Sequence, residues 1–144
     1  MFSKSVLTAI FNRRGEAGKH TQLFDQFSKE IQEEIVTRVK SFVRSEEEFI
    51  ILLYRNSSDW FLITNVQIIT LSDDKILTIL YSDLKRVEAD FSHVKNVRDE
   101  SIFSHLKITT ITSDEYLFKL EGGRPFFGIW NVLSSIVGLY SRTK

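Results

Sequence analysis

Hydrophobic positions change their period twice along this chain of 144 residues. From Thr21 to Arg44, the apolar residues Leu23, Phe24, Phe27, Ile31, Ile35, Val39 and Phe42 fall about one helical turn apart. That spacing predicts an amphipathic helix with Thr21 as N-cap and Lys29, Glu30, Glu33, Glu34, Arg38 and Lys40 on its solvated face. From Glu48 onward the pattern becomes short runs rich in β-branched and aromatic residues: FIILLYR, WFLIT, VQIITL, ILTILY, LKRVEA, LKITTIT and YLFKLE. Turn-forming NSSD, SDDK, SD and SDE separate most of them, and a polar connection spans 92–104. Helical spacing returns after GGRP, where Pro125 suits a first turn and the element runs to about Ser141.

The stretch FLITNVQIITL, Phe61 to Leu71, decides the strand count. It holds one Asn among apolar and β-branched residues, and a single strand of that length would outrun its neighbours. Asn tolerates a positive φ, so the chain is expected to break at Asn65, through a small bulge rather than a clean two-residue turn because Val66 is a poor second turn residue. The break brings the count to seven. At the N-terminus, Phe2, Val6, Leu7, Ile10 and Phe11 stand near helical spacing, and Arg13 and Arg14 follow the apolar segment, the wrong order for a secretory signal. A transit peptide or an interfacial membrane helix has this composition. A first helix packed on the domain is the expectation favoured here.

The terminal helix gathers Phe126, Ile129, Trp130, Leu133, Ile136, Val137 and Tyr140 on one broad face. Opposite lie Gly128, Asn131, Ser134, Ser135 and Gly138, with no charge between Pro125 and Ser141. Solvated helix faces carry charges, so Gly128, Asn131, Ser135 and Gly138 are expected to form an interaction face, covered by the 21–44 helix or by a partner chain.

Seven strands grouped as four and three, followed by one amphipathic helix, resemble the pleckstrin-homology-like (PH-like, GRAM-type) domains of bacteria. The strand ending FLITN, the hydrophobic VQIITL and the step YSDLKRVE carry the resemblance, which covers about residues 48–141. It implies a mainly β, α+β fold: a seven-stranded antiparallel barrel closed by a C-terminal helix over 45–144, with a helical extension over 1–44. It also implies a non-catalytic module for binding or assembly through protein–protein contact or self-association. In eukaryotic relatives the first inter-strand loop holds phosphoinositide headgroups. Here that loop is RNSSD with Arg55 its sole cation, which argues against such a site.

Composition narrows the chemistry. Lys plus Arg equals Asp plus Glu at 19 each, so no global field draws nucleic acid, and an anionic membrane surface could be met only by local patches. The candidate binding cations are Arg55, Lys85, Arg86 and Arg124. His93, Lys95, Arg98 and Lys107 are diluted by Asp90, Asp99 and Glu100. Gly122-Gly123-Arg124 before a helix is an anion-holding arrangement in principle, but a glycine turn is the more ordinary reading. Cysteine is absent, which fits a reducing, cytoplasmic setting, with peripheral membrane attachment as the alternative.

No catalytic set emerges. GEAGKH has the wrong glycine spacing for a phosphate loop and His20 where Ser or Thr belongs. His20, His93 and His105 share no metal-ligand spacing, so neither metal nor cofactor is expected. Asp73-Asp74 reads as a hairpin turn and Glu46-Glu47-Glu48 as a solvated linker. A carrier or enzyme reading would need Trp60 and Tyr81 to line a common cavity.

Overall fold

The computed structural model describes residues 2–90 and 104–143. His93, Lys95, Arg98 and all but the last residue of the expected 92–104 connection lie outside the described residues. The chain forms α1 (Lys4–Arg14), β1 (Thr21–Leu23), a 3-10 turn (Phe24–Gln26) and α2 (Lys29–Val39). There follow β2 (Phe49–Asn56), β3 (Asp59–Thr64), β4 (Gln67–Ser72), β5 (Lys75–Leu80) and a second 3-10 turn (Tyr81–Asp83). The remainder is β6 (Leu84–Ala89), β7 (His105–Thr110), β8 (Glu115–Lys119) and α3 (Arg124–Thr143).

The fold is α+β, with a five-stranded antiparallel sheet in the order β1 to β5 and a three-stranded one in the order β6-β7-β8. The expected seven-stranded barrel is therefore corrected to eight strands in two sheets with no ladder joining them among the described residues. Two physical causes stand out. The start of the expected long helix is instead β1, whose Thr21, Gln22 and Leu23 pair with Leu53, Leu52 and Ile51 and so satisfy backbone groups along the edge of β2. Meanwhile α3 fills the gap between the sheets with buried Phe126, Ile129, Leu133 and Ile136, and Trp130 Nε1 donates to the Val87 carbonyl of β6 at 3.4 Å.

The helix predicted over Thr21–Arg44 shrinks to α2 because Ser28, not Thr21, caps it, accepting from the Ile31 N–H at 3.3 Å. Gln32 Nε2 then donates to the Phe27 carbonyl at 2.9 Å and fixes the turn before it. Ile35 and Val39 of α2 bury against Leu52, Trp60, Leu62, Ile69 and Leu71 on the outer face of the larger sheet. Phe61, Ile63, Ile51, Leu53 and Ile68 point the other way, into a core shared with α1, α3 and the smaller sheet. Covering on both faces explains why β2, β3 and β4 read as continuous apolar runs, while β8, covered on one face, alternates.

The break at Asn65 is present, with β3 ending at Thr64 and β4 beginning at Gln67. It has neither a bulge nor a positive φ: the ladder stays in register to Ile63↔Ile68, and the described non-glycine residues with positive φ are Asp73, Asp74 and Ser113. What shapes it is side-chain hydrogen bonding. Thr64 Oγ1 accepts from the N–H groups of Val66 and Gln67 at 3.0 Å each and donates to Glu47 Oε2 at 2.6 Å. Asn65 Oδ1 accepts from the Glu48 N–H at 2.9 Å, and the Asn65 N–H donates to the Glu48 carbonyl at 3.1 Å. The Asn65 carbonyl receives the Phe2 N–H at 3.2 Å, Gln67 Nε2 reaches Glu47 Oε2 at 3.0 Å, and Tyr81 Oη donates to the Thr64 carbonyl. Asp73 and Asp74, by contrast, form the expected hairpin turn, with φ of 51° and 61° between the paired Ser72 and Lys75.

Helix α1 packs on the domain. Leu7 and Phe11 are buried, Phe2 meets the rings of Tyr81 and Tyr140, and α1 runs antiparallel along α3. Two glycines let the backbones touch: a Cβ on Gly15 would come within 2.5 Å of Gly128 Cα, and one on Gly128 within 2.6 Å of the buried Phe11 ring. At Gly138 a Cβ would meet nothing within 4 Å.

Two tests follow from this packing. Gly128→Ala is expected to destabilise the protein by about 1–3 kcal/mol, because the Phe11 ring has no room to yield. Gly138→Ala should be neutral or stabilising by up to about 1 kcal/mol, and urea unfolding reads both. Burial, with Glu47 adding to it, holds the Tyr81 phenol well above its ordinary value of 10.0. The unfolded chain would lose that proton first, so stability falls as pH rises above about 10. Tyr81→Phe should flatten that alkaline slope while costing about 1–3 kcal/mol at neutral pH, since the buried Thr64 carbonyl loses a donor.

Candidate interaction groove

The candidate cations do not form one site. Arg55 closes a corner between the sheets: its Nη2 donates to the Lys119 carbonyl at 2.9 Å, and its Nη1 stands 3.7 Å from Asp59 Oδ1. Lys85 and Arg86 are exposed on β6, with Arg86 Nε 3.7 Å from Glu88. Arg124, at the start of α3, pairs with Glu16 at 3.1 Å. Gly123, just before it, has φ of 85°, so that glycine serves the chain reversal.

The proposed helix face divides. Gly128 is buried under α1, Asn131 and Ser135 are half-buried, and Gly138 is exposed. Asn131 spends its Nδ2 on the Phe127 carbonyl at 2.7 Å. The cover expected from the 21–44 segment is supplied instead by α1, because only Gly15 approaching Gly128 permits so close a helix crossing. Trp60 and Tyr81 share no cavity: Trp60 lies in the core beneath α2 and Tyr81 in the core between the sheets.

The GEAGKH loop does cradle an anion, which spacing alone did not reveal. The Lys19 and His20 N–H groups donate to the two carboxylate oxygens of Glu121 at 2.6 and 3.0 Å. Gly18 leaves room for that carboxylate, since a Cβ there would crowd Glu121 Oε2 at 2.5 Å and Pro125 Cγ at 2.6 Å. The signal in the sequence was a glycine followed by successive free N–H donors, and the missing part was the partner 101 residues away. His105 lies on β7, and among the described residues no group of three or more His, Asp or Glu is placed to hold a metal ion.

A groove of about 560 Å³ that combines apolar and charged groups lies between α2, the first 3-10 turn and the start of α1. Phe24, Val36, Val43 and Phe49 supply its apolar lining. Phe24 and Phe49 meet edge to face with centroids 5.1 Å apart, and Val36 is 46% exposed. Lys40 and Arg44 stand along the rim with Glu47 and Glu48, and Lys4 pairs with Asp25 at 2.5 Å. Glu47 is fixed by Thr64 and Gln67, so the groove wall is held by the hydrogen bonds of the Asn65 turn.

The shifted ionisations have structural causes. Burial raises Tyr54, whose hydroxyl also donates to Glu34 at 2.9 Å, and the hydrogen bond that Lys107 donates to Glu115 raises Lys107. A hydrogen bond from Ser45 lowers Glu46. No protein-family model, curated protein or solved structure matches the chain.

Glu121→Ala should remove both loop hydrogen bonds and lower stability by about 1–3 kcal/mol, as expected for bonds to a charged acceptor. Thermal unfolding checks this, and Glu121→Gln, which keeps one acceptor oxygen, should lose less.

Proposed function

We propose that this chain is a non-catalytic PH-like binding module that works in the cytoplasm by holding a segment of a partner protein in the α2 groove. The order of elements supports the PH-like part: with β1 set aside as a contribution of the N-terminal extension, four strands (β2–β5) precede three (β6–β8) and then α3. The groove carries the binding part. Its apolar lining is open to solvent beside half-exposed Val36, and its rim carries both signs of charge. A peptide with an apolar anchor and mixed charges complements it, whereas an anionic lipid surface would meet Glu47 and Glu48 beside Lys40 and Arg44.

Membrane attachment through α1 is disfavoured by a separate observation. Leu7 and Phe11 are spent on the core, which leaves Val6 as the large apolar residue most exposed on that helix. No helix among the described residues is long and apolar enough to cross a membrane.

Selection from a displayed random-peptide library against the full chain tests the reading. Enriched peptides should share an apolar anchor and bind Val36→Glu at least about tenfold more weakly, with the circular dichroism spectrum unchanged. Peptides indifferent to Val36→Glu would contradict the groove. Sedimentation of the chain with phosphatidylserine vesicles at low salt would contradict the protein-binding reading in favour of a membrane one.

A further inference from the structure

The outer edge of β8 points to a second copy of this chain. Hydrogen bonding shows which way its backbone groups face. The Asp114 carbonyl accepts from Thr110, and the Leu120 N–H donates to Ser104, so the even-numbered positions turn toward β7. The Lys119 carbonyl turns outward, where it receives Arg55. Glu115, Leu117 and Lys119 therefore present their N–H and C=O groups on an edge that no described strand pairs.

The residues on that edge are arranged symmetrically about Leu117. In the stretch Glu115-Tyr116-Leu117-Phe118-Lys119, an antiparallel copy centred on Leu117 places each Glu115 opposite the other copy's Lys119. It also sets Tyr116 across from Phe118 and Leu117 across from itself. Leu117 is 56% exposed, the most exposed of the large apolar side chains among the described residues, and pairing would cover it. In the monomer the flanking charges guard the edge against arbitrary strands; toward a twofold copy the same charges attract.

We propose that the chain self-associates as a twofold dimer through β8, joining two three-stranded sheets into one of six strands. Lys119 keeps its bond from Arg55 on one carbonyl lone pair and accepts the Glu115 N–H of the other copy on the second. Glu115 shares its carboxylate between Lys107, 2.9 Å away in its own chain, and the facing Lys119. An interface of a single strand pair is small, so the dimer is weak and concentration-dependent. It leaves the α2 groove free, so it stands or falls independently of peptide binding.

Sedimentation velocity of the full chain up to about 1 mM should show a reversible monomer–dimer equilibrium. Glu115→Lys or Lys119→Glu alone places like charges across the twofold axis and should weaken it at least about tenfold, whereas the double reversal should return it to within about threefold of the original. Since the chain has no cysteine, Leu117→Cys gives a direct geometric readout. In this register the two Cα atoms at position 117 lie about 5.5 Å apart, within disulfide reach, so diamide should cross-link that variant at least about tenfold faster than Ile111→Cys. A monomer at every concentration would overturn the proposal. So would a dimer indifferent to the single reversals, or equal cross-linking at positions 117 and 111.

Discussion

The turn at Thr64 and Asn65 is the constraint on which the rest of the structure depends. Both residues are buried, so every polar group they carry must find a partner inside the protein or cost free energy. The partners come from four separate parts of the chain: Phe2 before α1, Glu47 and Glu48 before β2, Gln67 opening β4, and Tyr81 where the chain passes between sheets. One turn thereby sets the hairpin, anchors the N-terminus, positions the entry to β2 and marks the exit from the larger sheet. The groove inherits its geometry from the same bonds, because Glu47 belongs to both.

Much of the β framework was legible because its strands are covered on two sides. Burial by α2 on one face and by α1 and α3 on the other makes residues 60–64 and 67–71 nearly uninterrupted apolar runs, and the Asp73-Asp74 turn is written in residues that accept positive φ. Asn65 was legible as a break but not in its mechanism, since its side chain acts through Glu48, seventeen residues back. β1 was not legible at all. Three residues are too short for a strand signal, and Leu23, Phe24 and Phe27 happen to continue the spacing of α2.

The candidate site was legible only in fragments. Gly128 does mark a close contact, but nothing in local pattern says that α1 would supply the cover rather than α2, since Gly15 and Gly128 meet across the whole length of the chain. Arg55 and Arg124 were chosen as candidate binding cations, yet each is held by a carbonyl or carboxylate that only the tertiary fold brings near, while Arg86 faces Glu88 two residues along its own strand. The groove could not be read from sequence because its lining comes from three separate stretches, around Lys4, around Phe24 and over 36–49. Two kinds of surface result from this folding: a concave one with an apolar lining, suited to a peptide, and an open strand edge with self-complementary charge. The groove lies beside α2 and the start of β2 and the open edge is on β8, so the proposed peptide binding and the proposed self-association involve different elements.

The most direct measurement of the central claim is native-state amide hydrogen exchange at Asn65 and Glu48. If the turn is the anchor described, both N–H groups exchange only through global unfolding, as slowly as those of Leu62 and Ile69 in the adjoining strands. Exchange at these positions as fast as in the exposed Asn56–Asp59 turn would show that the hydrogen bonds at Asn65 open locally, and would contradict the account.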